Sequence, residues 1–305
     1  MTTNCVAADD AAIRMAAEIL RKGGLVAFPT ETVYGLGADA TNPAAISEVY
    51  RVKGRPSDNP LIWHGNDIAE FENFAVFSDD ARRMAEMFWP GPFTMVVQRK
   101  GGGTLALRVP FHPVARALIA AAGCLVAAPS ANLSGRPSPT LARHVMEDLE
   151  GAIDMIIDGG PTQKGLESTV VDMHGEKPRL LRPGAVTMEM LRDVINIDVA
   201  TGETGDSPLS PGMKYRHYSP KAPLILLIGP PEAVSAKIES YDKNAGIMRT
   251  SQESAEYTAQ TLFERLRTFD EMRVPLILAE GRSEEGVGLA VMNRLKKAAA
   301  EVIYL

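Results

Sequence analysis

Two clusters of hydroxyl and cationic residues stand within the first sixty-four positions. Thr30, Thr32 and Tyr34 follow an apolar run at 25–28, and Lys53, Arg55, Ser57 and Asn59 arrive about twenty residues later. Hydroxyls and backbone N–H groups in such loops cradle the oxygens of small anions, and a Lys beside an Arg neutralises a polyphosphate. Pro56 and Pro60 stiffen the second cluster. A cation just past a helix end can simply complement the helix dipole, and this accounts for one of the two. The pair set among loop polar groups reads better as an anion clamp. His64, after Leu61-Ile62-Trp63, reads by itself as a strand-end residue and not as a ligand. The spacing predicts a pocket for a small, highly charged molecule.

Further donors follow another buried strand. Pro129-Ser130-Ala131-Asn132-Leu133-Ser134-Gly135-Arg136-Pro137-Ser138-Pro139-Thr140 is either a turn that caps the next helix or a contact surface for phosphate and ribose. Gly165 to Thr169 adds Ser168, and Leu181-Arg182-Pro183-Gly184 adds another cation. Several chemistries are excluded. There is no Gly-x-x-x-x-Gly-Lys-Ser/Thr loop, and Gly35-x-Gly37 is not a dinucleotide fingerprint. The five histidines and two cysteines make no zinc spacing, and no Gly-x-Ser-x-Gly elbow occurs. What remains is positioning and electrostatic stabilisation by cations, hydroxyls and amides.

The elements that must carry these residues alternate between helical and strand patterns. Helices are predicted at 10–21, 43–51, 79–88, 113–122, 141–149 and 188–195, and strands at 25–29, 93–98, 105–109, 124–128, 155–158, 169–172 and 178–181. Composition shifts at 201–220, rich in Gly, Ser and Pro, and alternation restarts with a strand at 224–228, helices from 231 and over 254–268, a strand at 275–279 and a helix at 287–302. The pattern reads as α/β or α+β in two units: a domain over 8–200 with a sizeable sheet, a linker at 201–221, and a small α/β domain over 222–305. A net charge of −6 leaves no basic footprint for duplex nucleic acid. Cys5 and Cys124 lie far apart, as suits a reducing compartment. Residues 1–10 carry no signal-peptide pattern and no run reaches membrane-span length, so a cytoplasmic protein without membrane association is expected.

In order along the chain, PTETVYGLG, KGRPSDNPLIWH, WPGPFT, LRVPFHP, PSANLSGRPSPT, ESTVVD, LRPG, SPGMKYRHYSPKAPL and GVGLAVMNRLKKAA resemble the threonylcarbamoyl-adenylate synthases of the YrdC-like family in their long two-domain form. The resemblance implies an α/β fold: a YrdC-like catalytic domain over 8–200 with a large twisted, mixed sheet flanked by helices, and a smaller Rossmann-like α/β domain at the C-terminal side. It implies the reaction of L-threonine, bicarbonate and ATP to threonylcarbamoyl-AMP and pyrophosphate, for modification of the adenosine beside the anticodon in tRNA. By motif position it implies Thr32, His64, Arg108, Ser168 and the backbone at Ala128 for threonine, and Arg55, Asn59, Thr104, Ser130, Ser138, Arg182 and Tyr218 for ATP. Lys53 and Arg55 take the catalytic role, Lys53 by neutralising phosphates or bicarbonate. This overrides the strand-end reading of His64. Mg²⁺ is expected with the nucleotide, held mainly by phosphates, and a separate threonylcarbamoyl-transferase complex is the expected transient partner. Two rivals share the fold: a carbamoyl-transfer module of hydrogenase maturation, and a non-catalytic RNA-binding module. The segment at 210–218 and the second domain argue against the first, and the acidic balance against the second. Aromatic and cationic residues at 210–220 suggest a lid over the pocket, with Tyr218 against the nucleotide. The second domain looks short before residue 254, so its sheet is expected to be reduced.

Overall fold

The computed structural model describes residues 2–199, 217–241 and 243–305. Most of the linker, including 201–216 of the expected lid, lies outside the described residues.

Among them, twelve strands form one mixed sheet. Its order is Asn4–Ala7, Met155–Asp158, Val26–Phe28, Gly35–Asp39, Val126–Ala127, Ile62–His64, Thr104–Arg108, Phe93–Arg99, Thr169–Asp172, Arg179–Arg182 and Asp198–Val199, with Ala75–Val76 beside Phe93–Arg99. Both faces are apolar because the period of two is filled on both sides. Val26 and Phe28 join one buried cluster with the helices Asp10–Arg21 and Pro113–Ala122, while Ala27 joins the other. The first helix starts where Asp9 accepts from the Ala12 N–H at 2.7 Å, and the second where Pro113 occupies the first turn.

The second unit is a four-stranded parallel sheet, ordered Gly246–Met248, Ile277–Glu280, Leu224–Ile228, Glu301–Tyr304. Leu224 and Leu226 pack under the helices Ala255–Glu271 and Val287–Ala298, and Leu227 packs under Pro231–Glu239 on the other face. Helices on both faces of a parallel sheet give this unit a Rossmann-like three-layer build, with its strands in the order second, third, first, fourth along the chain. The expected reduction of its sheet is corrected: a strand at 246–248 occupies the short interval. The last helix ends at Ala298 and the chain turns into an edge strand, whereas the sequence read as helix to 302.

The large sheet also exceeds its sequence pattern. Gly35–Asp39 reads as loop because glycines weaken strands. Packing decides otherwise, since a Cβ on Gly37 would sit 2.8 Å from the Phe28 ring and 2.9 Å from Val126. Asn4–Ala7, too short and mixed to register as a strand, pairs in parallel with Met155–Asp158.

The two units close on each other around Gly165. Its φ of +72° is left-handed, and a Cβ there would lie 2.4 Å from the Gln260 backbone in the helix Ala255–Glu271. Gly165→Ala combines backbone strain with separation of the units and is expected to lower unfolding stability by about 2–4 kcal/mol, measured as a reduced urea midpoint. An unchanged midpoint would contradict this packing.

Candidate active site

One end of the central strands opens into a cleft. Strand register brings its chemistry together. His64 pairs with Arg108 in parallel and with Val126 antiparallel, and the Ala128 N–H donates to the Ile62 carbonyl at 2.9 Å. Thr94 and Ser168 share a hydrogen bond of 2.7 Å, which fixes the start of the next strand. Gly35 bridges to Ser130, carrying the 129–140 loop over the opening.

Five lining side chains are cations: Lys53, Arg55, Arg108, Arg136 and Arg182. Each is held from behind. Lys53 ends the helix Pro43–Lys53 and is 2 % exposed, a correction to its expected place in a loop. Gly54, left-handed at φ +59°, terminates that helix and turns the chain so that Arg55 enters the same cleft. The Lys53 ammonium donates to the Ser130 carbonyl at 2.6 Å and to the Asn132 carbonyl. Two of its three protons are thereby used, leaving one for a ligand. Burial and the neighbouring Arg55 push its pKa well below the usual lysine value. Arg55 donates to the carbonyls of Asn59 and Pro60, both at 3.1 Å, and burial lowers it to about 10, so it stays charged.

Arg108 is buried against Glu31 at 2.6 Å, and it donates to Thr32 Oγ1 at 3.0 Å and to the Gly91 carbonyl at 3.2 Å. Glu31 also accepts the Phe111 N–H at 3.1 Å. Three of the five guanidinium donors are engaged and two remain. Arg182 donates to the Ser168 carbonyl at 3.0 Å and to its hydroxyl at 3.2 Å. His64 Nδ1 lies 3.1 and 3.3 Å from the Ile62 and Val126 carbonyls, so we assign the proton to Nδ1 and a bare lone pair to Nε2. Burial and Arg108 push its pKa down to about 3, so the ring is neutral. The wall also carries one carboxylate, Glu167, which accepts from Ser138 and from Arg294 at 2.9 Å. Ser138 thereby commits its proton and presents lone pairs, suited to a donor such as a sugar hydroxyl.

The sequence-predicted residues Thr32, Lys53, Arg55, His64, Arg108, Ala128, Ser130, Ser138, Ser168, Arg182 and Tyr218 all line this cleft. Asn59 does not; it is 1 % exposed and uses its carbonyl to hold Arg55 and the Tyr50 hydroxyl. Thr104 does not either. It opens its strand opposite Gln98, about 13 Å along the strand from Arg108. Tyr34 packs beneath the loop, donating to the Gly160 carbonyl at 2.8 Å. Tyr218 lines the cleft with His217, but its ring also stacks on Phe263 of the second unit at 5.2 Å. Sequence reading gave no role to Glu31 and Glu167, and met Asn132, Arg136 and His217 only within longer segments. The usable signal was the carboxylate in each of Thr-Glu-Thr and Leu-Glu-Ser, since an acid within an anion-binding motif needs a buried cation beside it.

Fold and cleft together define an α/β protein with an anion-binding site at one end of a mixed sheet. Comparison with known proteins agrees. The Sua5–YciO–YrdC family model, described as telomere recombination, matches residues 18–184, and the model of the threonylcarbamoyl-AMP synthase C-terminal domain matches 186–300. The chain belongs to this family, in its two-domain form. The threonylcarbamoyl-AMP synthase of Bacillus subtilis is 43% identical over 97% of this chain and 95% of its own length. That of Pyrococcus abyssi is 45% identical over 94% and 93%. The crystal structure of P. abyssi Sua5 complexed with L-threonine matches at a TM-score of 0.92 and 41% identity, covering 100% of this chain and 99% of that one.

The buried neutral histidine makes stability depend on pH. Between the folded pKa of about 3 and the free value of 6.5, the unfolded chain binds the proton and the folded chain does not. His64 therefore costs nothing above pH 6.5 and destabilises progressively below it, at up to about 1.4 kcal/mol per pH unit. Urea midpoints measured from pH 7 to 4.5 should fall, and His64→Gln should flatten that slope by about 1 kcal/mol per pH unit. An unaltered slope would place the imidazole in water.

Proposed function

We propose that this chain is a threonylcarbamoyl-AMP synthase. It condenses L-threonine with bicarbonate, releasing water, and the resulting N-carboxylate oxygen attacks the α-phosphorus of ATP. The bond to the β-phosphate bridging oxygen breaks, and pyrophosphate leaves with the electron pair. The observation that carries this reading is the convergence of five cations and a neutral imidazole in one cleft. A triphosphate, a carbamate and an amino-acid carboxylate are all anions that need such partners.

Threonine lies on the side of Arg108, Thr32, His64 and Ser168. The two remaining donors of Arg108 take the carboxylate, the bare Nε2 of His64 accepts the side-chain hydroxyl, and Ala128 borders the methyl. ATP lies along Arg55, Ser130, Ser138, Arg182 and Tyr218, with Lys53 between the two ligands. As phosphates approach, the last proton donor of Lys53 and the fork of Arg55 meet charge that shifts onto the leaving group. His217 and Tyr218 close this end of the cleft and exclude water from the mixed anhydride. Among the described residues no group of three or more His, Cys, Asp and Glu could hold a metal. Glu31 and Glu167 are taken by arginines. In this reading magnesium accompanies the nucleotide on its phosphates.

The product then passes to a transferase complex acting on tRNA, in the cytoplasm. No helix among the described residues is long and apolar enough to cross a membrane. An RNA-binding role is not favoured, since the cations of this site face inward on a chain of net charge −6.

Mass spectrometry of a reaction with ATP, threonine and bicarbonate is expected to detect threonylcarbamoyl-AMP, and Arg55→Ala should cut its rate about a hundredfold or more. Lys53→Ala should cut turnover similarly and also lower stability, because it strips the Ser130 and Asn132 carbonyls of their donor. Near-normal pyrophosphate release from folded Arg55→Ala would refute the assignment.

Substrate choice gives a second check. A buried acceptor for the hydroxyl rejects an analogue lacking it more strongly than an apolar wall rejects a lost methyl. Serine should be used at a reduced rate and valine hardly at all, in competition assays read by product mass. Equal use of valine and threonine would remove His64 from this role.

A further inference from the structure

Two of the largest fully buried side chains are arginines, Arg267 and Arg294, and neither lines the cleft. Both rise from helices of the C-terminal unit and end in the catalytic unit. Arg294 donates through Nε to Glu167 Oε2 at 2.9 Å, and through its terminal nitrogens to the Pro183 carbonyl at 2.7 Å and the Glu167 carbonyl at 3.3 Å. The other oxygen of Glu167 accepts from Ser138. Arg267 donates to Asp148 Oδ2 at 2.8 Å and to the Pro137 carbonyl at 2.6 Å. Asp148 in turn holds Arg136 and accepts the Leu133 N–H at 3.2 Å. Each arginine thus reaches the 129–140 loop through a buried carboxylate, Arg267 also directly at the Pro137 carbonyl, and the loop residues at the far ends, Arg136 and Ser138, line the cleft.

Fold stability alone is a weak reason for such pairs, because apolar residues of similar volume usually serve a core as well or better. Their geometry serves the loop. Without Arg294, Glu167 would be a buried acid on the wall of a cleft that takes polyanions, and its charge would oppose the ligand. Without Arg267, Arg136 and the Leu133 N–H would share a carboxylate that lacks its main buried counter-ion.

We propose that Arg267 and Arg294 are positioning residues: through Asp148 and Glu167, the C-terminal unit holds the 129–140 loop in its ligand-binding shape and sets nucleotide affinity without touching the nucleotide. The inference rests on the reading that this loop faces ATP. Arg294 also lies over the ring of Tyr218, at 5.6 Å, so the same guanidinium backs a third side chain of the wall.

The test uses the full chain, with calorimetric titration of the β,γ-imido analogue of ATP and, separately, of threonine. Arg294→Gln and Arg267→Gln should each weaken analogue binding about tenfold or more, with threonine affinity within about twofold. Adding Glu167→Gln to Arg294→Gln should restore most of the loss, because glutamine removes the stranded charge yet still accepts from Ser138. If Arg294→Gln does not fold, Arg294→Lys keeps the charge without the fork and should show an intermediate loss that Glu167→Gln does not repair. Unchanged analogue affinity in the folded variants would overturn the proposal. So would equal losses for both ligands, or a double variant no better than Arg294→Gln. A wild-type chain that binds the analogue but makes no threonylcarbamoyl-AMP defeats the functional reading alone, and the affinity comparison still decides the role of the arginines.

Discussion

Five cations share one cleft, and they must be held there before any anion arrives. Like charges in a poorly hydrated space repel and lose hydration, which shows in the depressed pKa of Lys53 and of Arg55. The structure meets this constraint from behind each group. Backbone carbonyls take Lys53 and Arg55, Glu31 takes Arg108, Asp148 takes Arg136, and the Ser168 carbonyl takes Arg182. The fronts of Lys53 and Arg108 keep unspent donors. A site built this way needs little rearrangement when a polyphosphate enters, which is the condition for strong electrostatic stabilisation.

The same constraint explains the architecture around the cleft. The carbonyls that anchor Lys53 belong to the 129–140 loop, and that loop is fixed by the Gly35–Ser130 bridge and by the N–H of Ser134 donating to the Lys53 carbonyl at 2.9 Å. The carboxylates come from other elements, Glu31 after the strand Val26–Phe28 and Asp148 from the helix Ala142–Leu149. Helices and strands distant in the chain are therefore tied together by the site's charge. Two of these ties cross to the C-terminal unit, whose apolar core also takes in Val33 and Leu166 of the catalytic unit.

His64 shows how one position combines both demands. Facing Arg108 across a parallel register, it would add a further positive charge if protonated. Two carbonyls fix its proton on Nδ1 and burial keeps the ring neutral, so it offers an acceptor in a wall otherwise rich in donors. That contrast lets one cleft separate a hydroxyl from a carboxylate.

The sequence by itself determined the α/β class, the second unit and most of the cleft, because those signals are local. Pro113 at a helix start and apolar runs at 155–158 and 169–172 carry their structure within a few residues. Motifs such as Lys53-Gly54-Arg55 carry their chemistry in the same way. Tertiary structure decided what depends on partners far along the chain. Gly35–Asp39 is a strand because Val26–Phe28 and Val126–Ala127 pair with it on either side, and Phe28 and Val126 leave room only for glycine at 37. Glu31 and Glu167 gain a role only when Arg108 and Arg294, 77 and 127 residues away, come to rest against them. Local propensity is written in neighbouring residues, whereas charge compensation in a buried site is settled only when the chain closes on itself.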